Sequence, residues 1–168
     1  ERKVKERWNL SRLKSGKKNY FQLMDEYDVT KAARLIYDFT LDELSNWYIR
    51  RNRKRFRSPE NENDRLSAYQ TLFEILNDLL KMMAPVSPFL TEKLYMLLGN
   101  DTSIHLSKFE NTVENIDAEL EEEMSYAQNI VYLDRAMRVK NNLKTRQPLS
   151  QLLVPVLDSR QKEKILKV

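Results

Sequence analysis

The sequence predicts an all-α protein, an antiparallel bundle of about five helices with a short extended segment towards its C-terminus. Three observations predict it. Apolar side chains recur at steps of three and four residues along most of the chain, the spacing of one helix face. Glycine occurs only at Gly16 and Gly99, too sparsely for a β-rich or glycine-loop fold. Residues that cap helix N-termini stand just ahead of the periodic stretches: Asp28 or Thr30, Ser87 with Pro88 behind it, and Asp117.

In chain order, a first helix is expected from about Arg2 to Met24. Leu10, Leu13, Tyr20, Phe21 and Met24 share one face, with Val4 and Trp8 on a neighbouring one. Gly16, mid-helix, costs about 1 kcal/mol relative to Ala and marks an expected kink or weak point. After a short polar connection, a second helix is expected from about Thr30 to Phe56. Its apolar face is Ala32, Leu35, Ile36, Phe39, Leu44 and Trp47. Short connections favour antiparallel neighbours. The residues from Arg57 to Asn63 read as a loop around Pro59.

A third helix follows from near Asp64, with one seam of Leu66, Tyr69, Phe73, Leu76, Leu80 and Met83 and a second of Leu72, Ile75, Leu79 and Met82. Half its circumference is apolar, which suits a central helix. Pro85 ends it. The fourth helix carries Phe89, Leu90, Leu94, Leu97 and Leu98 and stops at Gly99. The segment from Ser103 to Leu106 is expected to be extended, with His105 structural. A fifth helix, capped by Asp117, has the face Leu120, Met124, Ala127, Ile130, Val131 and Met137. The Glu119, Glu121, Glu122 and Glu123 cluster belongs to its start, where the helix dipole favours anions. These carboxylates are consecutive rather than convergent, so no metal site is read into them. Leu152, Leu153, Val154 and Val156 read as a strand without a partner. The division expected is a bundle over 1–143 and the start of a truncated subdomain over 144–168.

Charge is uneven along the chain. Residues 1–57 hold 16 Lys and Arg against 8 Asp and Glu, a net +8; residues 58–133 hold 4 against 14, a net −10; residues 134–168 hold 9 against 3, a net +6. Two basic ends therefore flank an acidic middle. Zero cysteines exclude disulfides and Cys-ligated metals, and fit a cytoplasmic protein. No apolar run approaches the ~20 residues that span a bilayer, so no membrane partner is expected. The first residues, Glu1-Arg2-Lys3, already lie inside a helical pattern, and the chain is expected to be a piece of something longer.

The most basic stretch ends the second expected helix. Beyond Trp47, Arg50, Lys54 and Arg57 continue the apolar stripe while Arg51, Arg53 and Arg55 cover the other directions. A helix charged all round cannot lie in a core, so these turns are expected to project from it. Cations near a helix C-terminus also complement its dipole, the plainer reading of such a run. Arginine forks, however, match phosphate oxygens, and Trp47, Tyr48 and Phe56 offer faces for stacking.

The segments Arg7-Trp8 with Leu10-Ser11-Arg12-Leu13, Tyr27 to Ala32, Leu44 to Phe56, Ala84 to Leu90, Ser103 to Leu106 and Arg146-Gln147-Pro148-Leu149 run in one order across nearly the whole chain. In that order they resemble the anticodon-binding helical bundle of class I aminoacyl-tRNA synthetases, in the isoleucyl branch. The resemblance implies a parent enzyme that attaches isoleucine to tRNA(Ile) using ATP, with this piece holding the tRNA and touching the parent's remaining domains. It implies no ligase activity and no cofactor here, because the family's HIGH and KMSKS sequences are absent.

The implied tRNA-binding residues are Asn46, Trp47, Arg50, Arg51, Arg53, Lys54, Arg55, Lys144, Arg146 and Arg12, with Lys14, Lys17 and Lys18 as a further patch. The chain departs from the family at Asn9, where an aliphatic residue is common, at Gly16 and at Arg57. The alternative is a helical docking module of a related valyl, leucyl or methionyl synthetase, its basic end meeting protein instead of RNA.

Overall fold

A computed structural model describes residues 2–59, 61–109 and 115–167. Glu60, in the loop expected after the basic stretch, lies outside them. The fold is all-α, and among the described residues there is no strand. The chain divides into two compact units, 1–116 and 117–168. The boundary expected at 143/144 therefore falls inside the second unit, in the turn after its long helix.

In the first unit, α1 (Val4–Asp25) is followed by α2 (Val29–Asp38), a π-helical segment (Phe39–Ile49) and the short α3 (Arg53–Arg57). α4 (Glu62–Met83), α5 (Pro88–Leu97) and one 3-10 turn (Ile104–Leu106) complete it. The segment expected to be extended around His105 is that 3-10 turn. Caps set these bounds as their residue types require. Asp28 accepts from the Lys31 amide at 3.1 Å, Asn61 accepts from the Asp64 amide at 2.8 Å, and Gly99 follows α5 at φ +91°.

Pairings fix the directions. Arg55 meets Glu6 and Arg12 meets Glu43, so the chain from α2 to α3 runs back along α1. Ser67 donates to Glu6 at 3.1 Å and Lys17 pairs with Asp78 at 3.3 Å, a constant offset that lays α4 beside α1 in the same direction. The shared core is Leu10, Leu13 and Tyr20 of α1, Ala32 and Ile36 of α2, Phe39, Leu44 and Tyr48 of the π segment, and Ile75, Leu79 and Met82 of α4. The α1 face is the one expected.

At Gly16 the helix continues without a break. A Cβ built there would lie 3.6 Å from Leu35 Cδ2, so this glycine sits where α2 approaches α1. Two other expectations are corrected. Of the α4 seams, Leu66, Tyr69 and Phe73 remain about half exposed, while Ala68, Thr71, Ile75, Leu79 and Met82 are buried. In α5 the inner face is Thr91 and Tyr95, and the apolar residues turn outward, with Phe89 91% exposed. Thr91 can be inside because its hydroxyl donates to the Ser87 carbonyl at 2.9 Å.

The second unit pairs α6 (Ala118–Lys140) with α7 (Ser159–Leu166), a helix the sequence reading did not contain. The acidic start of α6 is matched by α7: Lys167 reaches Glu119 at 3.1 Å and Glu123 at 3.2 Å, and Lys164 pairs with Glu122. Hydrogen bonding from Lys164, then from Tyr126, holds the Glu122 carboxyl below its ordinary range. Leu152 to Val156 is irregular chain rather than the expected strand.

Candidate RNA interface

The basic stretch is shaped by the π-helical segment ahead of it. Its i→i+5 bonding widens each turn, so the buried positions step from Phe39 to Leu44 to Tyr48 and then to Asn52. The core stripe expected to pass through Trp47 passes through Tyr48 instead. Tyr48 is fully buried, and burial first, then the Glu6 carboxylate, pushes its hydroxyl well above the ordinary tyrosine value. Trp47 is left half-buried on the flank. The Arg51 guanidinium lies over its ring, 4.5 Å from the centroid, a cation–π contact.

Asn52 then interrupts the helix at φ −98°, ψ 8°, and its side chain donates to the Tyr48 carbonyl at 2.9 Å. Arg50 and Arg51 precede this break; Arg53 and Lys54 follow it. All four are exposed, as is Asn46. Among the described residues, no carboxylate pairs with any of the four cations.

Arg55 behaves differently, and the expectation that it faces RNA is corrected here. Its side chain is only 13% exposed. Nε donates to both Asp64 carboxylate oxygens at 3.0 and 2.9 Å, and Nη2 donates to Glu6 Oε1 at 2.7 Å and to the Asp64 carbonyl at 3.2 Å. Glu6 also accepts from the Lys3 amide at 2.8 Å and from the Ser67 hydroxyl, and Lys3 Nζ reaches Asp64 at 2.7 Å. The hydrogen bonds from Arg55, and then from Lys3, hold the Asp64 carboxyl down to about 2. A buried carboxylate such as Glu6 requires a cation, and among the described residues Arg55 is the one paired with it.

Arg12 is likewise committed, forking onto Glu43 at 2.9 and 2.7 Å. It lines a cleft of about 370 Å³ between α1 and α2 whose walls mix Lys31 and Arg34 with Asp38 and Glu43, so the cleft has no single sign of charge. Lys17 is tied to Asp78 and stands 4.8 Å from the Phe109 ring. Lys144 and Arg146 belong to the second unit and are exposed in the turn after α6. Arg138 shapes that turn, donating to the Gln147 carbonyl at 2.7 Å while paired with Asp134.

One residue was missed from sequence. Lys5 is half-buried, and its ammonium is held below the ordinary lysine value by burial first, then by the cations of Arg51, Arg55 and Lys3. It adds positive potential beside Arg51. No local spacing could have announced it, because the start of α1 meets the basic turn only in the folded bundle.

Exposed cations beside an aromatic flank, on a helical bundle, suit a polyanion. Comparison with known proteins narrows this. The family described as the anticodon-binding domain of tRNA ligase matches residues 6–153. The chain belongs to that family. Among curated relatives, an isoleucine–tRNA ligase of Bacteroides thetaiotaomicron is 46% identical over 98% of this chain and 15% of its own length. Those of Cytophaga hutchinsonii and Clostridium tetani are 42% and 45% identical over 98% and 91% of this chain, and 16% and 15% of their own lengths. The chain thus spans about 15% of the length of the first of these relatives. The match runs from Glu6 to Leu153, so the basic turn lies inside the family's domain and α7 beyond it.

Proposed function

We propose that this chain grips the anticodon stem and loop of tRNA(Ile), as the anticodon-binding part of a cytoplasmic isoleucine–tRNA ligase. The joining of isoleucine to tRNA with ATP would fall to the rest of such an enzyme, since these 168 residues carry neither HIGH nor KMSKS. The observation that carries the reading is the quartet Arg50, Arg51, Arg53 and Lys54, exposed on either side of Asn52 and unmatched by carboxylates among the described residues. Each can neutralise a phosphate and release its counterions. Trp47 and Asn46 border the quartet and would meet bases; Lys144 and Arg146 would add backbone contacts from the second unit. Arg12 contributes less, its guanidinium being occupied by Glu43.

Replacing Arg50, Arg53 and Lys54 together by Glu tests the reading. Loss of binding to an anticodon stem–loop with an unchanged unfolding midpoint is expected. Unchanged binding would return the basic end to the role of a protein-docking surface.

A further inference from the structure

The cations of the basic turn do not set their own arrangement. Arg50 and Arg51 end one helical stretch, Arg53 and Lys54 start another, and the break between them falls at Asn52. Asn52 is 3% exposed and faces the same way as Arg55. Arg55 Nη1 lies 3.5 Å from Asn52 Oδ1, while its other donors engage Glu6 and Asp64 from two different helices. A planar guanidinium with donors committed in three directions has little freedom to rotate. Phe56, next in the chain, is wedged edge-on against Tyr48 and Tyr69, with ring centroids 6.4 and 5.2 Å away.

We propose that Glu6, Asp64 and Arg55 form a buried clamp that fixes the backbone break at Asn52 and thereby the spacing of the two exposed cation pairs. Glu6 and Asp64 are then positioning residues for RNA binding, although both carry the charge that RNA repels. The proposal rests on the RNA reading of the basic turn. It differs from that reading in what it requires of two carboxylates that never touch the ligand. Phosphates along a strand have a set spacing, so cations held at a matching spacing engage together. Cations on a loosened turn engage one at a time.

The sign of the effect separates the clamp from simple electrostatics. Glu6→Gln removes a negative charge and keeps the side chain's shape. If only net charge mattered, the variant would bind RNA more tightly. The clamp requires weaker binding. Glu74→Gln is the matched control: it makes the same charge change at an exposed carboxylate paired with Arg2 at 2.5 Å, outside the clamp.

The measurement is the affinity of the 168-residue chain for an anticodon stem–loop RNA across a salt series, with a thermal melt of each variant to confirm that it is folded at the assay temperature. Expected are at least a threefold loss for Glu6→Gln with a log–log slope shallower by about one, and unchanged or tighter binding for Glu74→Gln. Should Glu6→Gln not fold, Ser67→Ala decides, since it removes only the 3.1 Å bond to Glu6 and changes no charge. A loss of at least twofold supports the clamp. Glu6→Gln binding as tightly as Glu74→Gln, or Ser67→Ala binding as the parent does, overturns it. Arg53→Gln with Lys54→Gln keeps the two readings apart: if that pair weakens binding while the clamp variants do not, the clamp falls and RNA binding stands. If that pair leaves binding unchanged, both fall.

Discussion

Arg53 and Arg55 stand two positions apart in one basic run, and replacing each by Gln removes the same unit of charge. The structure requires different failures. Arg53 is exposed with no partner among the described residues, so its loss should change stability by no more than about 0.5 kcal/mol. If it neutralises one phosphate, about 0.9 counterion is released. At about 0.15 M salt that is worth 0.9RT ln(1/0.15), about 1 kcal/mol or roughly fivefold in affinity, and the log–log slope flattens by about 0.9.

Arg55→Gln instead leaves Glu6, at 0% exposure, without its cation. Breaking a buried pair costs about 3–5 kcal/mol. The lower end applies here, because Asp64 keeps Lys3 and Glu6 keeps the bonds from the Lys3 amide and Ser67. At about 4 °C per kcal/mol, the midpoint should fall by about 12 °C. Circular-dichroism melts and fluorescence anisotropy with a labelled hairpin between about 50 and 200 mM salt measure both quantities. An Arg55→Gln protein that melts with the parent would refute this account of the basic turn. So would an Arg53→Gln protein with an unaltered slope.

Three further outcomes follow from buried or close-packed positions. Gly16→Ala is expected to raise stability by about 0.5–1 kcal/mol in a denaturant titration, since the new Cβ meets Leu35 at an ordinary 3.6 Å and the helix gains propensity. Asn9→Leu is expected to stabilise by about 1 kcal/mol or more, because both amide atoms are buried without a partner among the described residues and leucine has the same branched skeleton; a destabilised variant would mean that the amide is satisfied. Acid unfolding should carry the signature of Asp64. Its carboxyl is depressed in the fold, so the stabilisation is fully present above the unfolded value near 3.8 and is lost as pH falls through about 2. An Asp64→Asn protein should lack that component of the acid transition.

Local chemistry made much of the fold legible. The caps at Asp28 and Asp117, the stop at Gly99 and the inner face of α1 depend on residues a few positions apart, and each appears where its residue types place it. What the sequence withheld depends on distant neighbours. Arg55 looks like its neighbours until Glu6 and Asp64, from α1 and α4, are brought beside it. α5 reads as an ordinary amphipathic helix, yet it turns Thr91 inward and Phe89 outward. The glutamates at the start of α6 read as dipole partners, and their matching lysines arrive only with α7.

The π-helical segment explains why the site was half legible. An α-helical period carried on from Ala32, Ile36 and Phe39 puts Trp47 near the core and leaves Tyr48 outside, whereas Tyr48 is the one fully buried. The widened turns advance the buried stripe by one residue, and every later position inherits the shift. Had the α period held, Arg50 and Lys54 would have continued the core stripe and the basic turn would have emerged only by running past the bundle's end. With the shift, Asn52 and Arg55 take the inward positions. Arg50, Arg51, Arg53 and Lys54 then face out while the turn is still anchored in the first unit. The exposure of the quartet and the burial of Arg55 thus share a backbone cause, and a cation-rich turn held from beneath by two carboxylates loses less conformational entropy on binding than a free basic tail would.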